Sequence, residues 1–168
     1  MRRNSPLCAI PAAAAVLAAA VLAAAAADTR APKGWPRMKS LAGEWSGTDS
    51  AGKPIAVTYQ LTAGGSALLE TIRPTGEEAM VTVYHPDGDR LLMTHYCSTG
   101  NQPRMRAEVG DRTIAFDLVD ATNLADRSTP HMRRLVITFL DGSHIQAEWT
   151  LRSGREDQPV TFDLHRRK

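Results

Sequence analysis

The chain has 168 residues, a formal net charge of +2, and two cysteines, Cys8 and Cys97. That length suits one domain with an ordinary buried core. The small net charge and the lack of a basic patch interleaved with aromatics argue against a nucleic-acid partner.

Residues 1–27 open on Arg2 and Arg3, continue as an apolar run of Ala, Leu and Val, and end in small residues up to Ala27. This is the layout of a secretory signal peptide cut before Asp28. A retained membrane anchor is the rival reading, since the run is about long enough to span a bilayer, but alanine is a weak membrane residue. Cleavage removes Arg2, Arg3 and Cys8, and so balances the remaining basic side chains against the 18 acidic ones. The mature protein is expected to be periplasmic or extracellular, with no stable membrane span and no internal disulfide.

Residues 28–34 form a polar, proline-bearing linker, and 35–168 are expected to be one domain. Pro36 suits the first turn of a short helix in the segment from Trp35 to Leu41. From Gly43 onward apolar residues recur at every second position, which is the period of half-buried strands. Ten strands are read at 43–49, 54–62, 66–74, 79–85, 90–97, 102–108, 112–119, 132–140, 144–152 and 159–165. Tight joints such as Pro86-Asp87-Gly88 and Asp141-Gly142 provide turn residues for hairpins. The longer connection from Asp120 to Pro130 is polar and suits a covering or binding loop. Consecutive hairpins of this number imply an all-β fold, an about ten-stranded antiparallel up-and-down barrel with a short N-terminal helical turn, because closure removes the sheet edges.

The segment Met93 to Arg106 concentrates side chains able to bind. On one strand, Leu91, Met93, His95 and Cys97 share a face, while Leu92, Thr94 and Tyr96 share the other. His95 and Cys97 then lie about 6.5 Å apart between Cα atoms and could join one soft-metal site. The alternative is a small buried cysteine beside a hydrogen-bonded histidine. Asn101 belongs to a hairpin tip, and Pro103, which lacks an N–H, marks an edge, a bulge or a gap in the wall. Arg104 and Arg106 share a face with Gln102. Turned inward they would form an anion receptor, and turned outward a solvated face.

Glu70 interrupts the apolar set Leu68 and Ile72, and Glu148 sits on the polar face of its strand. Either could pair with Arg104 or Arg106 as an interior carboxylate. His131 enters a strand after Pro130, and Asn123 can cap a turn or reach the barrel mouth. His95, Cys97, His131 and His144 are the candidate metal ligands. No spacing among them specifies a metal, and no nucleophile, base and orienting group form a catalytic motif.

At Leu41-Ala42-Gly43-Glu44-Trp45-Ser46-Gly47, a helical turn followed by a Gly-x-Trp strand, the chain resembles the opening of calycin-type barrels: lipocalins, fatty-acid-binding proteins and nitrobindin-like proteins. The Thr-His-Tyr-Cys and Gly-Asn-Gln-Pro-Arg-Met pieces are similar to those of uncharacterised exported bacterial proteins with a lipocalin-like domain. The resemblance implies a close backbone approach at Gly43 and Trp45 over the closed end of the barrel. Its nitrobindin-like branch implies haem on a late-strand histidine, for which His144 and His165 are available. The lipocalin disulfide has no counterpart in the mature chain.

The leading expectation is an exported protein holding a small amphipathic or anionic molecule in the barrel, with no cofactor. His95, Tyr96, Cys97, Asn101, Gln102, Arg104, Arg106, Glu70 and Asn123 are its candidate ligand-binding residues. The alternatives are a haem or metal barrel, and a small-molecule isomerase or hydrolase.

Overall fold

The period-2 alternation after Gly43 is realised as ten strands in the computed structural model, which describes residues 31–168. The expected signal segment, residues 1–27, and the first part of the linker lie outside the described residues. Pro32–Lys168 form one compact unit. Helix α1 (Trp35–Lys39) precedes β1 (Gly43–Asp49), β2 (Pro54–Thr62), β3 (Ala67–Pro74), β4 (Met80–Asp87) and β5 (Arg90–Tyr96). There follow β6 (Gln102–Val109), β7 (Thr113–Thr122), β8 (His131–Phe139), β9 (His144–Ser153) and β10 (Glu156–Arg166). Each strand pairs antiparallel with its chain neighbour, and β1 pairs with β10 to close the barrel. The fold is therefore an all-β up-and-down barrel. No helix among the described residues is long and apolar enough to cross a membrane.

Alternation decides what each wall presents to the inside. Ile55, Val57 and Tyr59 of β2, Leu91, Met93 and His95 of β5, and Ile145, Ala147 and Trp149 of β9 are buried, while the residues between them are more exposed. Full burial of one such aliphatic or aromatic side chain contributes roughly 1.5–3 kcal/mol, so the interior rows supply most of the drive to close.

One end is capped by α1. Five residues are too few for a helix to persist alone, and α1 is held by packing: Trp35 and Met38 are buried, and the Arg37 guanidinium donates to Gly110 O at 3.1 Å. Pro36 occupies the first turn, where its missing N–H costs nothing. Trp45 is buried beneath the cap, and its indole N–H donates to Leu41 O at 2.8 Å. Arg166, from the last strand, lies 4.4 Å over the Trp45 ring and donates to Ala42 O and Ser40 O. Gly43 has φ +132°, and a Cβ there would stand 2.8 Å from the Arg166 guanidinium. At Gly47 a Cβ would fall 1.7 Å from the Asp163 carbonyl oxygen, so only glycine lets β10 approach β1 at the closing seam. Trp45→Phe orphans Leu41 O and leaves a cavity where the larger indole was buried; we expect a loss of about 2 kcal/mol in urea unfolding.

At the opposite end the pairing thins. The strand expected to end at 119 continues to Thr122, but beyond Asp117 it pairs with β6 only, because pairing with β8 stops at Asp117 and Arg134. The long connection is thus 123–130, shorter than the polar stretch from Asp120 suggests. Likewise β10 begins at Glu156 rather than Pro159. Its first residues have β9 on one side and no β1 partner before Phe162, and such a half-edge tolerates a proline. Pro103 marks a third thin seam: β5 and β6 pair over only Leu92–Thr94 and Arg104–Arg106, and β6 carries an irregularity at Arg104/Met105.

Candidate functional site

Strand register assembles a polar belt inside the barrel from residues far apart in the chain. Tyr59 stands opposite Glu70, Glu70 opposite Thr82, and Thr82 opposite His95, across β2, β3, β4 and β5. All four are buried. The Tyr59 hydroxyl donates to Glu70 Oε1 at 2.7 Å, and the Tyr84 hydroxyl donates to Oε2 at 2.8 Å. Burial raises the Glu70 pKa, while the hydroxyls of Tyr59, Tyr84 and Thr82 pull it back down. Burial, and then the nearby Glu70 charge, push both tyrosines well above their ordinary value. The belt therefore keeps its phenols protonated as donors.

Thr82 Oγ lies 2.9 Å from His95 Nδ1. With the threonine proton turned to Glu70, Oγ accepts from Nδ1–H, and the other ring nitrogen, Nε2, carries the lone pair. Burial lowers the His95 pKa to about 4, so the ring is neutral at physiological pH. Its Nε2 is buried without a hydrogen-bond partner. Against the same ring packs Trp149 of β9, with centroids 4.6 Å apart, and the Trp149 Nε1 is likewise buried and unpartnered. In that tautomer a lone pair and an N–H stand unused on two side chains in contact.

The other expected binding residues divide by parity. Cys97 is buried, as is His131. Tyr96, half exposed, and Arg104 and Arg106 point outward. Arg104 pairs with Asp120 at 2.6 Å on the exposed surface, and Glu148 is exposed as well. Neither arginine meets Glu70, whose oxygens face tyrosines instead. The hairpin's outward row carries the guanidiniums because the inward row is taken by Pro103 and Met105. Asn101, Gln102 and Asn123 hold the rim together: Asn101 donates to Pro130 O at 2.8 Å, Gln102 accepts from Thr122 at 2.9 Å, and Asn123, at φ 54°, donates to Gly100 O. The Asn101 side-chain oxygen stays buried and unpaired.

The expected metal ligands do not assemble as a set. Among the described residues, the group of three His, Cys, Asp or Glu side chains close enough to share an ion is His144, Asp163 and His165, without His95, Cys97 or His131. His144 and His165 alternate with buried Ile145 and Leu164, and so face outward. They do not fit the interior haem that the late-strand resemblance implies.

Where β7 and β8 part, a cleft of about 460 Å³ opens, lined in part by Leu118, Leu124, His131, Arg127, Arg133 and Arg152. Arg133 and Arg152 share Asp157. Sequence reasoning missed Tyr59, Thr82, Tyr84 and Trp149 as site residues. Their signal was a polar tip on each apolar row, with one carboxylate interrupting the row next to them.

No protein-family model and no curated protein matches the sequence. Among solved structures, the chain is similar to Rv2717c from M. tuberculosis, at 16% identity and a TM-score of 0.52, over 82% of this chain and 99% of that one. A second, described as EF1p2_mFAP2b bound to DFHBI, is 13% identical with a TM-score of 0.38, over 77% of this chain and 95% of that one. The first likeness is one of fold, a ten-stranded antiparallel barrel.

Proposed function

We propose that the protein is an exported, calycin-type binder of a small amphipathic molecule whose polar head bridges His95 Nε2 and Trp149 Nε1. The observation that carries this reading is the pair of buried, unpartnered atoms, His95 Nε2 and Trp149 Nε1. Native interiors pair almost all their buried polar groups, and an unpaired one costs about 1–3 kcal/mol. Two on adjoining side chains call for one guest that accepts from the indole and donates to the imidazole. A carboxylic acid, a primary amide or an enol does both.

The buried neighbours of the pair, Met93, Phe116 and Leu135 among others, are apolar, so the part of a guest beyond its polar head would be hydrocarbon or aromatic. The signal-like residues 1–27 support work outside the cytoplasm, in the periplasm or beyond. The reading needs no cofactor and no nucleic acid. It also favours binding over catalysis: both Glu70 oxygens are engaged by tyrosines, and an imidazole with a pKa of about 4 is a poor base at neutral pH.

Native mass spectrometry of the chain purified from its own host tests this. The expected spectrum shows a retained small molecule, which is lost on denaturation and much reduced in His95→Leu and in Trp149→Phe. A bare mass under gentle ionisation, with Trp fluorescence unmoved by a panel of carboxylic acids and amides, would sink it. In that case ordered water completes the two atoms.

A further inference from the structure

We propose that the outer wall of the barrel carries a binding site for a zinc-like divalent cation, made by His144, Asp163 and His165. His144 on β9 and His165 on β10 are direct cross-strand partners, and Asp163 follows two positions before His165 on the same outward face. His144 Nε2 lies 2.9 Å and His165 Nε2 3.3 Å from the same Asp163 oxygen, Oδ1. The three ligand atoms all fall within 4.8 Å of one another.

A tetrahedral ion with ligands at about 2.1 Å has ligand-to-ligand edges of about 3.4 Å. The His165 separation already matches such an edge, and the 2.9 Å pair needs only to part slightly. The imidazoles stack with centroids 4.0 Å apart and 23° between planes, so the more exposed ring, His165, must rotate out of the stack to bring its lone pair onto an ion shared with His144.

Two features separate this group from a chance surface ion pair. Gln146, opposite Asp163 in the register, donates from Nε2 to Oδ2 at 3.0 Å and leaves Oδ1 for the ion. Outer groups that hold a liganding carboxylate in this way are half of a metal site's construction. The ligands also sit on paired strands rather than within a loop, His144 being the first residue of β9 and opposite His165. Two nitrogens and one oxygen select borderline ions such as Zn²⁺ over Mg²⁺ or Ca²⁺, which require oxygen donors. The remaining coordination positions face solvent and would hold water. An ion here staples β9 to β10, the strand that closes the barrel on β1, and stabilises the folded chain by mass action.

Isothermal titration of the untagged full chain with Zn²⁺ alone decides the matter. We expect one equivalent per chain at micromolar free metal, no binding of Mg²⁺, and a rise in melting temperature with added Zn²⁺. His144→Ala, His165→Ala and Asp163→Asn should each weaken binding by more than about tenfold, and Gln146→Ala by about tenfold, the usual scale for a supporting group. Cys97→Ser and His85→Ala should leave it unchanged. Circular dichroism checks that each variant is folded. Failure of the wild type to bind, or stoichiometric binding that survives the His144→Ala/His165→Ala double substitution, overturns the proposal. So does binding that is lost with Cys97. None of these outcomes touches the interior ligand, which is read by mass.

Discussion

Glu70→Ala is expected to destabilise the protein by about 4 kcal/mol in urea unfolding. The carboxylate receives the hydroxyls of Tyr59 and Tyr84, and all three side chains are buried. Removing the acceptor leaves two phenol donors without partners in an apolar interior, at about 1–3 kcal/mol each, and adds a cavity. Glu70→Gln should cost less, because the amide oxygen still accepts from one tyrosine and the amide nitrogen can donate to the other. The sharper test is the triple variant Tyr59→Phe/Glu70→Leu/Tyr84→Phe. Removing the carboxylate together with both phenols that donate to it should recover most of the loss, as replacing buried polar partners jointly by apolar groups often does. If Glu70→Ala is neutral, or the triple variant is as unstable as the single, the belt is not the interior's polar anchor.

The second large effect is a pH dependence carried by His95. Burial lowers its pKa from 6.5 to about 4, so the folded state binds this proton less readily than the unfolded chain does. The stabilisation is fully present above about pH 6.5 and is lost as the pH falls toward 4. A pKa lowered by that much corresponds to about 3 kcal/mol of folding stability at neutral pH. Glu70 acts with the opposite sign: its raised pKa favours the folded state in acid, and that contribution fades as the pH rises through the folded value. The wild-type slope is therefore a difference between two groups. In His95→Gln, whose amide can still reach Thr82, the Glu70 slope and the surface carboxylates remain while the histidine's contribution is gone. Urea midpoints between pH 7 and pH 4 should converge for wild type and variant as the pH falls. Parallel curves would show that His95 is not held neutral by the fold.

The two effects also explain why the site was only partly legible in the sequence. Glu70 stood out as a carboxylate in an apolar row, and His95 as an imidazole sharing parity with Leu91 and Met93. Their partners did not stand out, because Tyr59 and Trp149 read as ordinary core residues on strands whose positions relative to Glu70 and His95 are not local information. The arginine pair was misleading for the opposite reason. Arg104 and Arg106 lie close to His95 in the chain, yet the alternation that turns Met105 inward turns them out, and Arg104 finds Asp120 on the surface. Proximity in sequence therefore carried less weight than parity.

The order of ten strands, their hairpin joints and the helical turn before them were determined by the sequence alone. Each depends on neighbours a few residues apart: alternation for a strand, Gly or Asp-Gly for a turn, Pro36 for a helix start. Closure adds little to that list, since a meander of this length has one simple way to remove its edges. Tertiary structure decided which polar atoms meet. Tyr59, Glu70, Thr82 and His95 form one belt only because three successive registers align them, and Trp149 reaches His95 only because the barrel curves β9 back across the interior. Register and curvature are set by the packing of the whole wall, and a hydrogen bond between distant strands leaves no periodic trace in the chain that makes it.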